Sequence, residues 1–504
     1  MARRASVPAC ALSTAAWSAA GPVPADPALP ASELAAAVCR GQVSSKALVR
    51  VAIERAKAAA PLNAFITLDE AGAMAAAGRA DALAVQRGRN GCPALLGVPM
   101  VIKDNIHVAG LRSSAGTPAL KNYVPAEDAP VVKKLREAGA IVLGKTNLHE
   151  LAFGISGYNP TFQTGPEVGV RNAYDLSRSA GGSSSGTGAA LGARVVGVGL
   201  GTDTGGSVRV PCAFNGCASL RPTLGRYSQQ GMVPISHTRD TAGPMALAMS
   251  DVELMHRVIV GGPRVRAADP ARLRLGLEKA LLANMDADTQ AAFDAALVKL
   301  KAAGVTLVEV DMPKLMELNG AISFPVALYE AHDDGVANLA KYHAGLSITQ
   351  LAEAVASPDV KGTYLGLVIP RKLPGSNNTL LDAKPIYDAA MATARPALQA
   401  LYRQTFQQHR LDALVFPTVP KVAMVAMVAN AESSSVPVFM GVIQNTDPGS
   451  NAGIPGLQLP MALGATSRLP IGLELDGPAG SDRRLLAAGL ALEKLLGRLP
   501  APAR

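Results

Sequence analysis

Apolar residues alternate along the chain between two arrangements. Short continuous runs such as LLGVPMVI (95–102) are typical of buried strands, and they are followed by segments with apolar residues at helical spacing, such as VVKKLREAG (131–139). A further apolar run at 141–143 completes a strand–helix–strand unit, whose strands pair in parallel. The pattern therefore predicts an α/β fold with a central mixed, mostly parallel twisted sheet covered by helices.

The same reasoning places other elements along the chain. Two helices begin the fold, the first capped by Ser32 and the second by Ser44 or Ser45. The run that ends in VPMVI places Lys103 at the mouth of a buried strand. The remaining predictions are strands at 195–200, 412–418 and 456–463, and helices at 288–303 and 388–408.

The domain organisation follows from a change in character along the chain. We find no internal repeat and no linker, so we expect one domain over residues 31–504. Beyond about residue 265 and as far as about 410, helices dominate, and we expect a variable, mainly helical insertion that recognises the substrate. Residues 1–30 are expected to form a flexible extension of a cytoplasmic protein. Their basic start and small apolar middle leave export by a weak signal open.

Composition and charge exclude several classes of protein. With 49% hydrophobic and 17% charged residues, the chain resembles an ordinary globular protein, not a disordered or fibrous one. The net charge of +9 is spread without a basic run, and aromatic residues make up only 4%, so we expect no nucleic-acid partner. No apolar run reaches the roughly 18 residues of a membrane span, so we expect no membrane partner. A monomer or a homodimer is expected.

The cysteines show no metal or redox pattern. There are five of them, Cys10, Cys39, Cys92, Cys212 and Cys217, and none forms a CxxC pair. We therefore expect reduced thiols, with the last two acting as small buried hydrophobic side chains.

Two glycine-serine loops and one lysine are the candidate chemistry. The loops are GGSSSG (181–186) and TDTGGS (202–207), and Lys103 is the lysine. Each has an ordinary explanation when taken alone, since such loops are usually turns and most lysines are solvated. A serine hydroxyl, however, becomes a good nucleophile when a neighbouring base takes its proton, and a lysine kept neutral by burial can be that base.

The order and flanks of these motifs resemble a known family. The segment SRSAGGSSSGTGAALGARVVGVGLGTDTGGSVRVPCAFNG resembles the signature block of the amidase signature family. GVPMVIKDN, GKTNLHEL, DALVFPTVP and NAGIPGLQLPMAL are similar to its other blocks, and the resemblance covers roughly residues 30–498. It implies an amidase fold and hydrolysis of amide C–N bonds, with no metal or organic cofactor.

The resemblance also assigns roles to residues. It implies that Ser207 is the nucleophile, Ser183 the bridging serine and Lys103 the base, with the two serines twenty-four positions apart. It further implies a cis peptide bond between Gly182 and Ser183. The chain departs from the family at Ser185, where glycine is more common.

The second loop is also expected to bind the developing oxyanion. Its lack of bulky side chains leaves four consecutive backbone N–H groups accessible, those of Thr204, Gly205, Gly206 and Ser207. Asp203, Arg209 and Ser184 are expected to hold the loops without touching the substrate. His149 and His237 are interpreted as structural, because the triad needs no imidazole.

The substrate is expected to be a small-molecule amide. TFQTGPEVGVRNAYDLSRSA and GRYSQQGMVPISHTRDTAGPM resemble the branch of mandelamide and indoleacetamide hydrolases, which implies arylacetamides that release ammonia or an amine. The acyl pocket is expected within residues 310–450, with Phe324, Tyr329, Phe439 and Met440 as candidate lining residues.

Several alternatives stay open from the sequence. The same triad serves carbamate, anilide and ester hydrolases, and a related branch acts as an amidotransferase subunit on charged tRNA. GSSSG (182–186) also fits a GxSxG elbow with Ser184 as nucleophile, although no strand precedes it. A phosphate-binding module is disfavoured, since the loops contain neither GK[ST] nor GxGxxG.

Overall fold

The computed structural model describes residues 23–88, 91–426 and 435–503. Its centre is a mixed sheet of eleven strands, and two further short strands pair as a separate hairpin. The strands are β1 (Phe65–Leu68), β2 (Pro99–Lys103), β3 (Ile141–Thr146), β4 (Val198–Asp203), β5 (Ala218–Arg221), β6 (Thr241–Ala246), β7 (Arg274–Glu278), β8 (Thr306–Val310), β9 (Lys372–Pro374), β10 (Leu380–Asp382), β11 (Ala413–Pro417), β12 (Gly456–Leu463) and β13 (Pro470–Asp476).

The order of strands in the large sheet is β1-β3-β2-β4-β6-β5-β12-β13-β11-β7-β8. β2 pairs in parallel with β3 and β4, and β7 pairs in parallel with β8 and β11. The other neighbours in the sheet run antiparallel. β2, β3 and β4 are buried along their whole length, as expected for strands that helices cover on both faces.

Helices surround this sheet and build the region after β8. Several begin at the caps that their sequences provide: Ser44 accepts a hydrogen bond from the Ala47 N–H, and Asp286 accepts one from the Thr289 N–H. The helices are α1 (Ala31–Cys39), α2 (Ser45–Ala58), α3 (Glu70–Arg87), α4 (Pro130–Glu137), α5 (Ser185–Gly192), α6 (Arg209–Asn215), α7 (Met249–Val260), α8 (Ala287–Ala302), α9 (Leu315–Tyr342), α10 (Ile348–Ala354), α11 (Pro358–Thr363), α12 (Ala383–Ala389), α13 (Arg395–His409), α14 (Val436–Ile443), α15 (Asp447–Ala452) and α16 (Asp482–Leu496).

The sheet brings the candidate residues to one edge. In the β2–β4 pair, Ile102 lies opposite Leu200, so these parallel strands end at the same edge of the sheet. The GGSS loop (residues 181–184) leads into α5, and the TGGS loop (residues 204–207) connects β4 to α6. The end of β2 and both loops therefore meet at the carboxyl edge of β2 and β4.

The predicted α/β class with a mixed central sheet is confirmed, and so are most predicted elements. β2 ends at Lys103, and β12 has the predicted bounds. The strand predicted at 195–200 begins instead at Val198, because the Val195 N–H still closes the end of α5 by bonding to the Ala190 carbonyl. The helix predicted at 388–408 is interrupted by a π-helical turn at Ala390–Ala394.

The predicted insertion and the described part of the predicted N-terminal extension both contribute more to the folded body than expected. Residues 265–410 supply β7 and β8 to the sheet edge as well as helices. Residues 1–22 of the expected extension lie outside the described residues, whereas 23–30 pack on the core, and Asp26 forms an ion pair with Arg55 at 2.6 Å. None of the helices in the described ranges combines the length and apolar character that crossing a bilayer requires.

The prediction of reduced cysteines is wrong for the four that the structure describes. Cys39 is bonded to Cys92 and Cys212 to Cys217, with Cα–Cα distances of 6.1 and 4.5 Å. Both distances lie in the range that a disulfide requires. No local pattern in the chain indicates the first pair, because the fold brings together residues 53 positions apart.

Loop length predicts unequal contributions of the two disulfides to stability. The Cys39–Cys92 bond closes 53 residues and the Cys212–Cys217 bond only five. Cys39→Ala/Cys92→Ala should lower the free energy of unfolding by about 4 kcal/mol, and Cys212→Ala/Cys217→Ala by about 2 kcal/mol. Denaturant unfolding of both double variants measures the difference, and a larger loss in the second variant would contradict this ranking.

Candidate active site

Lys103 lies at the end of β2 and is fully buried. Its Nζ lies 2.7 Å from the Ser183 hydroxyl and 2.7 Å from the Thr202 hydroxyl. Asn105 Nδ2 also donates to the Thr202 hydroxyl, at 3.1 Å. Thr202 therefore fixes the amine in front of Ser183.

The surroundings of Lys103 disfavour its charge. Burial lowers the pKa of the amine to about 7, although the Asp203 and Asp240 carboxylates partly oppose this shift. Near neutral pH, a large fraction of the protein molecules therefore carries an uncharged Lys103 amine, which can accept a proton.

The GGSS loop is tied to its surroundings through backbone groups. The Gly182–Ser183 peptide bond is cis, as the family resemblance implied. The Ser183 carbonyl accepts a hydrogen bond from the His149 N–H at 3.2 Å. The Ser184 N–H donates to the Ser207 carbonyl at 3.1 Å, so Ser184 joins the two loops directly.

Ser207 lies on the TGGS loop and lines a cavity. Its hydroxyl makes no hydrogen bond with any residue that the structure describes. The structure thus forms the contact between Lys103 and Ser183, and leaves the side chains of Ser183 and Ser207 unconnected in this state.

The four N–H groups expected in the oxyanion hole differ in what they bind. All four residues line the cavity. The Gly206 N–H donates to Asp203 Oδ1 at 2.9 Å, so it is already engaged. Those of Thr204, Gly205 and Ser207 form no hydrogen bond within the described part of the chain.

A buried charge network supports the TGGS loop. Asp203 accepts hydrogen bonds from Arg209 and Arg221 at 3.0 Å, and all three side chains are fully buried. Burial raises the pKa of the Asp203 carboxyl, but the two guanidinium groups outweigh it and hold that pKa below its usual range. Arg209 also donates to Glu474 at 2.8 Å, which ties the loop to β13.

The cavity beside Ser207 has a volume of about 490 Å³ and mainly apolar walls. Phe324 and Phe439 line it, with ring centroids 5.6 Å apart. The structure places the other two predicted lining residues elsewhere: Tyr329 stacks on Tyr387 at 4.3 Å, and Met440 packs on a neighbouring apolar cluster. The sequence could not show which of these four residues line the cavity, because apolar and aromatic residues occur in cavities and in cores alike.

Sequence reasoning missed several residues at the site. One of them is Thr202, which contacts Lys103. Three others line the cavity: Arg239 and Asp447, which form an ion pair, and Asp359, which lies 3.0 Å from His149 Nε2. These partners are far apart in the chain, so no local motif could have indicated them.

Both histidines named above contact carboxylates. His149 is fully buried behind the cavity wall. His237 is 58% exposed, lies outside the cavity lining and pairs with Asp334 at 3.1 Å.

Comparison with known proteins agrees with the sequence blocks. A family model described as Amidase matches residues 47–486. The chain is 41% identical over 473 residues to mandelamide hydrolase of Pseudomonas putida, covering 94% of this chain and 92% of that protein. It is 39% identical over 464 residues to indoleacetamide hydrolase of Agrobacterium vitis, covering 91% and 95%.

Solved structures show the same fold. Peptide amidase in complex with the competitive inhibitor chymostatin superposes with a TM-score of 0.80 at 29% identity, covering 94% of this chain and 99% of that chain. Another structure, described as an amidase, gives a TM-score of 0.77 at 30% identity and covers 93% and 100%.

The geometry of the TGGS loop predicts that Gly206 is required for stability. Gly206 has φ +137°, and an added Cβ would lie 2.3 Å from Thr446 Oγ1. Gly206→Ala should therefore lower the free energy of unfolding by about 1–3 kcal/mol, and by more if the clash with Thr446 is not relieved. Gly441→Ala is the control, because nothing lies within 4 Å of its Cβ position. Equal unfolding midpoints for the two variants would contradict the prediction.

Proposed function

Since the chain belongs to the amidase signature family and is an amide-hydrolysing enzyme, we propose that it cleaves small arylacetamides through an acyl-enzyme on Ser207. The observation that carries this proposal is the buried Lys103 amine, 2.7 Å from Ser183 and depressed in pKa to about 7. A base of this kind suits proton transfer near neutral pH.

In the proposed first step, neutral Lys103 takes the proton of Ser183 while Ser183 takes the proton of Ser207. For this transfer the Ser207 hydroxyl turns towards Ser183, and its oxygen attacks the amide carbonyl carbon. The developing oxyanion is stabilised by the N–H groups of Thr204, Gly205 and Ser207. The Gly206 N–H instead keeps the loop on Asp203.

The proton then returns along the same path. Protonated Lys103 donates through Ser183 to the leaving nitrogen, the C–N bond breaks, and ammonia departs. Water attacks the resulting ester on Ser207, its proton enters the same relay, and the carboxylic acid is released. The net reaction consumes one water and leaves the three side chains as they began.

The cavity supports an aromatic acyl group. Its volume of about 490 Å³ lies in the range of small-ligand sites, and Phe324 and Phe439 provide apolar aromatic surface. The relatives are named for mandelamide and indoleacetamide, both short amides with an aromatic ring. We therefore assign this chain to arylacetamides, which yield an arylacetic acid and ammonia.

Removal of any member of the triad should abolish turnover. Ser207→Ala, Ser183→Ala and Lys103→Ala should each lower kcat for phenylacetamide by about a thousandfold or more, because the relay acts as a unit. Release of ammonia measures kcat, and circular dichroism checks that each variant is folded. The exposed Ser177→Ala is the matched control and should retain wild-type rates. Wild-type turnover by Ser207→Ala would end the assignment.

The rate should depend on pH in one direction. Only uncharged Lys103 can accept a proton, so kcat/KM for phenylacetamide should rise about tenfold per unit below pH 7 and level off above it. A pH–rate profile between pH 5 and 9 measures this limb, with the fold monitored over the same range. A flat profile would show that a base of this pKa is not used.

A further inference from the structure

Asp359 is an acidic side chain in an otherwise largely apolar cavity. Among the described lining residues, the charged ones are Arg239, Asp447 and Asp359. Arg239 and Asp447 pair with each other, and the second oxygen of Asp447 accepts a hydrogen bond from Asn451 at 3.1 Å. Asp359 therefore carries a charge that has no partner among the other described residues of the cavity lining.

Asp359 is held by a histidine from outside the cavity. His149 Nε2 lies 3.0 Å from Asp359 Oδ2, and His149 Nδ1 lies 3.3 Å from the Ser156 hydroxyl. Nε2–H donates to the carboxylate, which leaves Nδ1 for the serine hydroxyl. Burial raises the pKa of the Asp359 carboxyl, but hydrogen bonding and the charge interaction with His149 outweigh it and hold that pKa below its ordinary value.

One edge of the Asp359 carboxylate faces the cavity. Oδ1 is enclosed by protein, whereas the side chain as a whole is 21% exposed. Oδ2 is thus the oxygen that can reach a ligand. A carboxylate oxygen has two acceptor positions, and His149 occupies only one of those on Oδ2.

The position of Asp359 is fixed relative to the reacting serines. The His149 backbone N–H bonds to the Ser183 carbonyl, and the side chain of the same residue bonds to Asp359. The next residue, Glu150, accepts hydrogen bonds from the backbone N–H groups of Ala356 and Ser357, just before α11. The carboxylate is therefore set one histidine length away from the GGSS loop, in the lining of the cavity that Ser207 also lines.

We propose that Asp359 is a specificity-determining residue whose carboxylate accepts a hydrogen bond from an N–H or O–H group on the aromatic ring of the substrate. This inference rests on the proposed hydrolysis of arylacetamides. When the ligand lacks a donor, the second acceptor position of Oδ2 is left unused in an apolar wall, which costs affinity. Substrates with a ring donor are consequently preferred over isosteres without one.

The test compares isosteric substrate pairs in wild type and in Asp359→Ala. The pairs are indole-3-acetamide with 1-benzothiophene-3-acetamide, and 4-hydroxyphenylacetamide with 4-fluorophenylacetamide. In this variant no carboxylate remains to accept from the ring, whereas the amide oxygen of an asparagine beside His149 would still be an acceptor facing the ligand.

The expected readout is the ratio of kcat/KM within each pair. In wild type at least one pair should favour the donor-bearing member by about tenfold or more, as one buried hydrogen bond predicts. In Asp359→Ala that ratio should fall to about one. Asp294→Ala, which removes an exposed carboxylate on α8, is the matched control and should keep the wild-type ratio.

The outcomes separate the two proposals. Structural damage alone would slow both members of a pair equally and leave the ratio unchanged, and that result overturns the role of Asp359. A change confined to mandelamide relative to phenylacetamide also overturns it, because the donor would then be on the α-carbon. Failure of wild type to hydrolyse any arylacetamide overturns the proposed function itself.

Discussion

The site depends on one constraint, the burial of an amine without a carboxylate beside it. Lys103 contacts the hydroxyls of Ser183 and Thr202. The two carboxylates that raise its pKa, Asp203 and Asp240, form their hydrogen bonds with other groups. Lys145 on the adjacent strand is equally buried but has Asp104 at 3.2 Å. Burial lowers the pKa of both amines, but for Lys145 the adjacent Asp104 carboxylate opposes this shift. Of the two buried lysines, Lys103 is therefore the candidate base.

Keeping carboxylates away from Lys103 requires that they be satisfied by other groups. Asp203 faces Arg209 and Arg221, and Asp240 accepts hydrogen bonds from the Thr204 hydroxyl at 2.6 Å and the Ile235 N–H at 2.7 Å. Buried charges without such partners would cost several kcal/mol each. The same bonds shape the TGGS loop. The groups that satisfy these two carboxylates therefore also position the candidate nucleophile and the N–H groups around it.

A second set of contacts links the loops to the cavity wall. His149 and Glu150 follow β3 in the block GKTNLHEL, which resembles a block of the family, and both hold the segment that begins α11. That segment belongs to the region 265–410, which the sequence predicted to be variable and to recognise the substrate. The segment that begins α11 and forms part of the cavity wall is therefore held by His149 and Glu150. The His149 N–H also bonds to the Ser183 carbonyl.

The sequence by itself determined the α/β class, the strand that ends at Lys103 and the two serine loops, because these are local patterns of periodicity and composition. Only the tertiary structure decided that Thr202 orients Lys103, that Gly206 bonds to Asp203, and that Tyr329 and Met440 lie outside the cavity. It also paired His149 with Asp359 across 210 positions. Such contacts depend on how distant segments meet in three dimensions, and a distance of that kind leaves no pattern along the chain.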